Sequence, residues 1–361
     1  MPDLNFLPQR QSLVAQTASC LRDGIAAGRW RDWLPAERTL ARELSVGRNT
    51  LRRALAAREG AKLLRPEPGR GHRVTGRPRR PRGVTAATVG LLIPHAFGQL
   101  RPTTIEWIDR LREQLADQGT RLQVHAAPSC YARRPAAALA RIYDRQPAEC
   151  WIPVLSTEPM QEWLATHSRP CVVAGSNFPG IELPSVDLDH AATARHAAGV
   201  LIARGHRRIA LLLKAVYSAG DLRTAEGFLT AARSASRPAE AVIIHTGESR
   251  EEAIKPLANL RNRGGPTGLL VANPNRLLAI AGWLAAQPDR GAGVALLSRD
   301  DDPFLRFLKP RPPRYRFDPA AFARAMGASV GQVLADGAPA RRHVRLLAEF
   351  DAGDGVVVAS A

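Results

Sequence analysis

From Thr88 onward the chain alternates between two hydrophobic periods. Short runs rich in Val, Ile and Leu occur as TVGLLI (88–93), RLQVHA (121–126), ECWIPVL (149–155) and PCVVAG (170–175). They continue as SVDL (185–188), RIALLL (208–213), AVIIH (241–245), TGLLVA (267–272) and GVALLS (293–298). Between them lie longer stretches whose apolar residues recur every three or four positions, which predicts helices near 103–117, 135–145, 159–166, 190–203, 221–235, 250–262 and 275–286. A chain with this alternation has few options. It forms parallel sheets covered by helices on both faces, because only a crossover helix returns the chain to start the next parallel strand. Residues 88–361 are long enough for two such doubly wound lobes with a cleft between them. In open sheets of this kind ligands bind beyond the C-terminal strand ends.

The first 74 residues read differently. A helical pattern runs from about Gln11 to Ala27, with Leu13, Ala18, Leu21 and Ile25 on one side and Gly28 after it. Pro35 is placed to open a second helix carrying Leu40, Ala41 and Leu44. A turn at Ser45–Gly47 leads to a third helix over about 48–59. Two short extended pieces, 63–65 and 72–74, flank the glycine-rich tip PEPGRG. Helix, turn, helix and hairpin in this order predict a winged helix-turn-helix, whose second helix lies in the DNA major groove. In the third helix Val46, Leu51, Ala54 and Leu55 fall on one side and Arg48, Asn49, Arg52 and Arg53 on the other. A solvated face usually mixes signs of charge, whereas this one is basic with amide and hydroxyl groups (Asn49, Thr50) between the arginines. Arginine forks match guanine, amides match adenine, and hydroxyls and glycine N–H groups suit phosphate oxygens. Residues 75–87, TGRPRRPRGVTAA, are rich in Pro and Arg and lack apolar period, so they read as a linker. The expected domains are therefore 1–74, linker 75–87, and 88–361.

The charge distribution agrees with that division. The chain of 361 residues carries a formal net charge of +18, and its first 83 residues hold 18 Lys and Arg against 7 Asp and Glu. A basic segment of this kind favours a polyanion. The four cysteines, Cys20, Cys130, Cys150 and Cys171, form no C-x-x-C pair and read as buried thiols in a reducing compartment, without zinc. No signal peptide is visible at MPDLNFLPQR, and no apolar run approaches the roughly 18 residues of a membrane span. A cytoplasmic protein without cofactor or membrane partner is expected.

Two family resemblances follow. LPAERTLARELSVGRNTLRRAL with the later GRG resembles the DNA-binding domain of GntR-type transcription regulators, over about 65 residues. The resemblance implies that Arg38, Arg48, Thr50 and Arg52 contact DNA and that Gly69, Arg70 and Gly71 form the wing tip. Gly47 stands where that family usually has a hydroxyl residue. PSVDLDHAATARHAAGVLIARGHRRIALL resembles the LacI-type regulatory domain, which shares its fold with periplasmic sugar-binding proteins. That resemblance covers about 88–350. It implies an effector cleft with Asp300 and Asn273 as ligand-orienting residues. Three departures weaken the expected sugar site. The family's effector-binding Arg, three residues before Gly227-Phe228, is Thr224 here, with Arg223 one place earlier. The carboxylate that usually follows Asn273 is Pro274. The Asp often found after the strand matching CVVAG is Ala174 or Gly175. His95, Phe97 and Tyr217 follow strand ends and are either cleft residues or ordinary loop residues.

The expectation is thus a sequence-specific DNA-binding regulator, a repressor because repression is the commoner mode in both resembled families. It would act as a homodimer on a double-stranded operator and be controlled by a small-molecule effector such as a carbohydrate. One alternative is a constitutive regulator whose second domain only dimerises. A remote one is a pyridoxal-phosphate-linked regulator. That chemistry needs a Schiff-base lysine, and the chain has only Lys62, Lys214, Lys255 and Lys309. No P-loop, G-x-S-x-G or H-E-x-x-H occurs, so no enzyme is expected.

Overall fold

The computed structural model describes residues 17, 21, 30, 33–44, 46–60, 64–67, 71–74, 87–247, 249–261, 264–287, 293–336 and 343–358. The helix expected over 11–27 lies outside these apart from Thr17 and Leu21, both helical. The linker expected over 75–87 lies outside them apart from Ala87. The chain divides into two compact units, Met1–Thr85 and Ala86–Ala361.

In the small unit, helix α1 (Glu37–Glu43) and helix α2 (Arg48–Gly60) are joined by a short turn, and strands β1 (Leu64–Glu67) and β2 (Gly71–Val74) pair antiparallel with Glu67 opposite Gly71. Pro35 lies just before the capping residue Ala36 rather than inside the first turn. Leu40 and Ala41 of α1 and Leu51, Ala54 and Leu55 of α2 are buried with Leu21, Trp30, Leu34 and Leu64. The apolar side of the α2 sequence pattern is thereby consumed in a core, and the basic side is left outward. The Leu34 N–H donates to the His72 carbonyl at 3.0 Å, so the approach to α1 is tied to the hairpin.

The large unit is mixed α/β with two lobes. The first lobe holds β3 (Thr88–Ile93), α3 (Pro102–Asp117), β4 (Arg121–Ala126), α4 (Ala136–Arg145), β5 (Cys150–Pro153), α5 (Glu158–Thr166), β6 (Val173–Ala174) and β7 (Ser185–Leu188). The order β4-β3-β5 is parallel throughout, and single bridges at Trp151–Cys171 and Val154–Ala174 extend it to β6 and β7. The chain then crosses to the second lobe, built from α6 (His190–Ala203), β8 (Arg208–Lys214), α7 (Ala219–Ser234), β9 (Glu240–Thr246), α8 (Arg250–Arg261), β10 (Gly268–Val271), α9 (Pro274–Ala285), β11 (Ala295–Ser298) and β12 (Arg314–Arg316). It returns to the first lobe with α10 (Pro319–Asp336) and β13 (His343–Leu346), which pairs parallel to β7. It ends with β14 (Glu349–Asp351), antiparallel to β12 in the second sheet. That sheet has the order β14-β12-β11-β10-β8-β9.

Both sheets are covered on two faces, as near-continuous apolar strands require. In the first lobe, Trp107, Ile108 and Leu111 of α3 meet Phe322, Met326 and Val330 of α10 over one face of the sheet. In the second lobe α6 and α7 pack closely through Ala194, Ala197, Ala198 and Phe228. Gly227 permits that approach, because a Cβ there would lie 2.2 Å from the Ala191 carbonyl oxygen. The thiols of Cys130, Cys150 and Cys171 are buried, and burial pushes Cys171 up to about 12. Among the described residues no helix is long and apolar enough to cross a membrane, and no cluster of three metal-ligating side chains occurs.

Candidate functional site

Two places in the chain carry surplus chemistry. The first is the outer face of α2. Arg48, Asn49 and Arg52 are exposed and Thr50 is half-buried, all within the first five residues of the helix. No acidic residue lies in that first turn. Arg38 is exposed on α1. Arg52 is held by its neighbour in α1, its Nε donating to Glu37 Oε2 at 2.8 Å. A pair this exposed contributes little stability, on the order of 0–1 kcal/mol, but it fixes where the guanidinium points. Of the expected wing-tip residues, Gly71 opens β2 with φ +93°, a conformation that favours glycine. Gly69 and Arg70 lie outside the described residues.

The second place is a cavity of about 580 Å³ between the lobes of the large unit, at the C-terminal ends of strands from both sheets. The open-sheet rule locates a site at such strand ends. One wall is aromatic, with Trp107 and Phe322 in tilted contact at 5.0 Å and Phe317 5.4 Å from Phe322. The opposite wall is charged and centres on Arg299. Its guanidinium forks onto Asp300, with Nε to Oδ1 at 2.9 Å and Nη2 to Oδ2 at 3.2 Å. Its Nη1 reaches Asp221 Oδ1 at 2.8 Å and Thr224 Oγ1 at 3.0 Å. Asp221 itself closes the capping box of α7 with Ser218. Arg101, at the N-terminus of α3 in the other lobe, donates to Asp300 Oδ2 at 3.1 Å, so one ion pair spans the cleft. The Arg299 side chain is only 10% exposed. Burial alone would raise Asp300, but the Arg299 and Arg101 charges overcome it and hold the carboxyl below the usual carboxylate range. Asp221 is likewise lowered against its burial by Arg299 and by the Ser218 N–H.

At the hinge end of the cleft, Asp187 of β7 accepts from Ser176 Oγ and from the Leu188 N–H, and lies 3.4 Å from His190 Nε2. Burial would raise Asp187, and the His190 charge with these hydrogen bonds lowers it. His190 sits directly against Gly220, where a Cβ would lie 2.8 Å from the ring.

The structure places the sequence-predicted cleft residues unevenly. Asp300, Asn273 and His95 line the cavity. Asp300 has both carboxylate oxygens engaged by guanidinium groups. Asn273 uses its Oδ1 to cap α9, accepting from the Arg276 N–H at 3.1 Å. Phe97 does not line the cavity, because its ring packs against the first-lobe core with Arg112 over it. Tyr217 is 48% exposed and meets His245 edge-on outside the cavity. Arg223 is turned away as well. It pairs with Glu226 at 3.4 Å and lines a separate hollow of about 310 Å³ beside His343 and Arg345. Arg299, Arg101, Asp221, Lys214 and the aromatic wall were not singled out from sequence. The one signal available was the Arg-Asp-Asp run directly after the strand ending at Ser298.

A basic recognition helix with a hairpin wing, followed by a two-lobed binding-protein fold, defines the chain as a DNA-reading module joined to a periplasmic-binding-type domain. Residues 13–74 match the model of bacterial regulatory proteins of the gntR family, and residues 198–354 match the periplasmic binding protein-like domain. The chain thus joins a gntR-type DNA-binding domain to a periplasmic binding protein-like domain, the make-up of a DNA-binding transcription regulator. Its fold is shared with solved regulators. The Cra transcriptional dual regulator from Pseudomonas putida, in complex with fructose 1-phosphate, is 17% identical with a TM-score of 0.59, over 74% of this chain and 98% of that one. A LacI family transcriptional regulator from Enterococcus faecium with bound ribose is 17% identical with a TM-score of 0.58, over 76% and 98%. A regulatory protein of the LacI family from Chloroflexus aggregans is 19% identical with a TM-score of 0.61, over 75% and 100%. No curated protein sequence matches the chain. The gntR-family match is to a regulatory domain, not a catalyst.

Proposed function

We propose that the protein is a cytoplasmic repressor that reads a two-fold-symmetric operator as a homodimer through Arg38, the N-terminal turns of α2 and the wing, and that an effector in the inter-lobe cleft alters operator affinity. The observation that carries the effector role is the Arg101–Asp300 pair across a polar-and-aromatic cavity. A ligand that engages either partner exchanges an inter-lobe bond for its own contacts, and so has unequal affinity for different lobe arrangements. Unequal affinity is the thermodynamic requirement for a response. Polyhydroxyl compounds suit an aromatic wall facing charged donors, and the bound sugars of the solved regulators are in keeping with that class. Selecting bound sequences from random DNA with the full chain, repeated with a carbohydrate panel, tests this. Recovery of a pseudo-palindrome whose retention changes with one compound is the expected result.

A second reading has its own support. Asp300 is already saturated by Arg299 and Arg101, and Asn273 caps a helix. A domain that only dimerises would show the same internal satisfaction. Recovery of a palindrome with no compound altering its retention would favour that reading.

A further inference from the structure

Resting on the reading of the cleft as the effector site, we infer that its ligand is anionic, a phosphorylated or carboxylated polyol rather than a neutral sugar. The inference follows from which charges in the cavity are already answered. Every carboxylate lining it has a cation or a set of donors. Asp300 has Arg299 and Arg101. Asp221 has Arg299 and the Ser218 N–H. Asp187 has His190, Ser176 and the Leu188 N–H. Asp301 has Arg314 at 2.9 Å. A neutral polyol is normally oriented by carboxylates that accept its hydroxyl protons, and none of these four is without a competing donor.

The cations are not matched in the same way. Lys214 ends β8, a strand flanked on both sides within its sheet, and its half-buried side chain lines the cavity. Among the described residues its ammonium has no hydrogen-bond or ion-pair partner. Arg101 spends one nitrogen on Asp300 and is otherwise unengaged there, leaving donor capacity in a fork suited to phosphate or carboxylate. Thr103 and Thr104 beside it add hydroxyls at an α3 N-terminus that has no side-chain cap. The cavity thus presents an unpaired ammonium from one lobe and spare guanidinium donors from the other. An anion contacting Lys214 in one lobe and Arg101 in the other would join the lobes through itself.

Calorimetry on the full chain at low salt tests this with matched probes: fructose 1-phosphate against fructose, ribose 5-phosphate against ribose, and gluconate against sorbitol. The expected result is that the anionic member of at least one pair binds about tenfold or more tightly than its neutral partner. Lys214→Gln and Arg101→Gln should each lose about tenfold of that affinity, the scale of one charge-assisted contact. Lys214→Arg should retain the preference. Unliganded melting midpoints of the variants report whether they fold. Tighter binding of the neutral partner, or anion binding indifferent to both Gln variants, overturns the inference. Neutral-sugar binding abolished by the cleft-filling Thr104→Trp would overturn it while leaving the effector cleft intact. No binding by any probe would remove both.

Discussion

Arg299 shows how one side chain can organise a site that its sequence neighbours only hint at. It is buried between two carboxylates and a threonine hydroxyl, and its own charge holds both Asp221 and Asp300 ionised despite burial. Removing Arg299 leaves Asp221 with only the Ser218 N–H and Asp300 with only the exposed Arg101. Arg299→Gln should therefore destabilise the large unit by roughly 3–5 kcal/mol, read by chemical denaturation. The pH dependence distinguishes this from ordinary loss of packing. In the wild type both carboxyls sit below their unfolded values. Their stabilisation is present above about pH 4 and is lost as pH falls through the lowered folded values. In Arg299→Gln the charge opposing burial at Asp221 is gone, so burial raises that carboxyl and protonation favours the folded variant. The stability gap between the two proteins should narrow from pH 7 toward pH 4. A gap that is constant over that range would contradict the electrostatic account. Sequence singled out Asp300, and the residue lines the cavity. Sequence could not show that the residue next to it in the chain neutralises it, because that depends on how the loop after β11 turns.

Elements with a strong period were legible, and those built from small or charged residues were not. The apolar stripe of α2 announced both its buried side and its basic face. Arg48→Ala should weaken specific operator binding by about 1–3 kcal/mol with little effect on folding. Glu37→Gln should change operator affinity through Arg52, whose direction it sets. Unchanged binding in both, measured by fluorescence anisotropy, would remove α2 as the reading helix. By contrast, β12, α10, β13 and β14 gave no usable signal. The two strands β12 and β14 have three residues each and are held by Arg–Asp and Arg–Glu pairs, such as Arg314 with Asp351 and Arg316 with Glu349. Helix α10 is PAAFARAMGASVGQVLAD, where alanines and glycines dilute the stripe formed by Phe322, Met326, Val330 and Val333. The close contact of α6 and α7 was also invisible before the structure. Gly227→Ala should push these helices apart and destabilise the large unit by about 1–3 kcal/mol. A melting midpoint equal to wild type would show that the backbone there yields freely.

At the scale of the molecule, the strand–helix alternation sufficed to predict two parallel-sheet lobes. The way the chain weaves between them became visible only in the structure. Three crossings, after β7, after β12 and after β13, make the lobes interdependent and set the cleft at their strand ends. The residues lining that cleft come from sequence positions between His95 and Phe322. Short-range pattern therefore located the strand-end candidates but missed Arg101, Lys214 and the aromatic wall. The same separation explains why Phe97, Tyr217 and Arg223, each close to a strand end or a family position, point elsewhere. The central claim is that occupancy of this cleft controls DNA binding by the other unit. It is tested most directly by measuring operator affinity by anisotropy for the wild type and Thr104→Trp, with and without a compound shown to bind the wild-type cleft. The account predicts that the compound shifts wild-type affinity by about tenfold or more, within the usual range of coupling energies, and leaves Thr104→Trp unmoved. Equal wild-type affinity with and without a bound compound would contradict it.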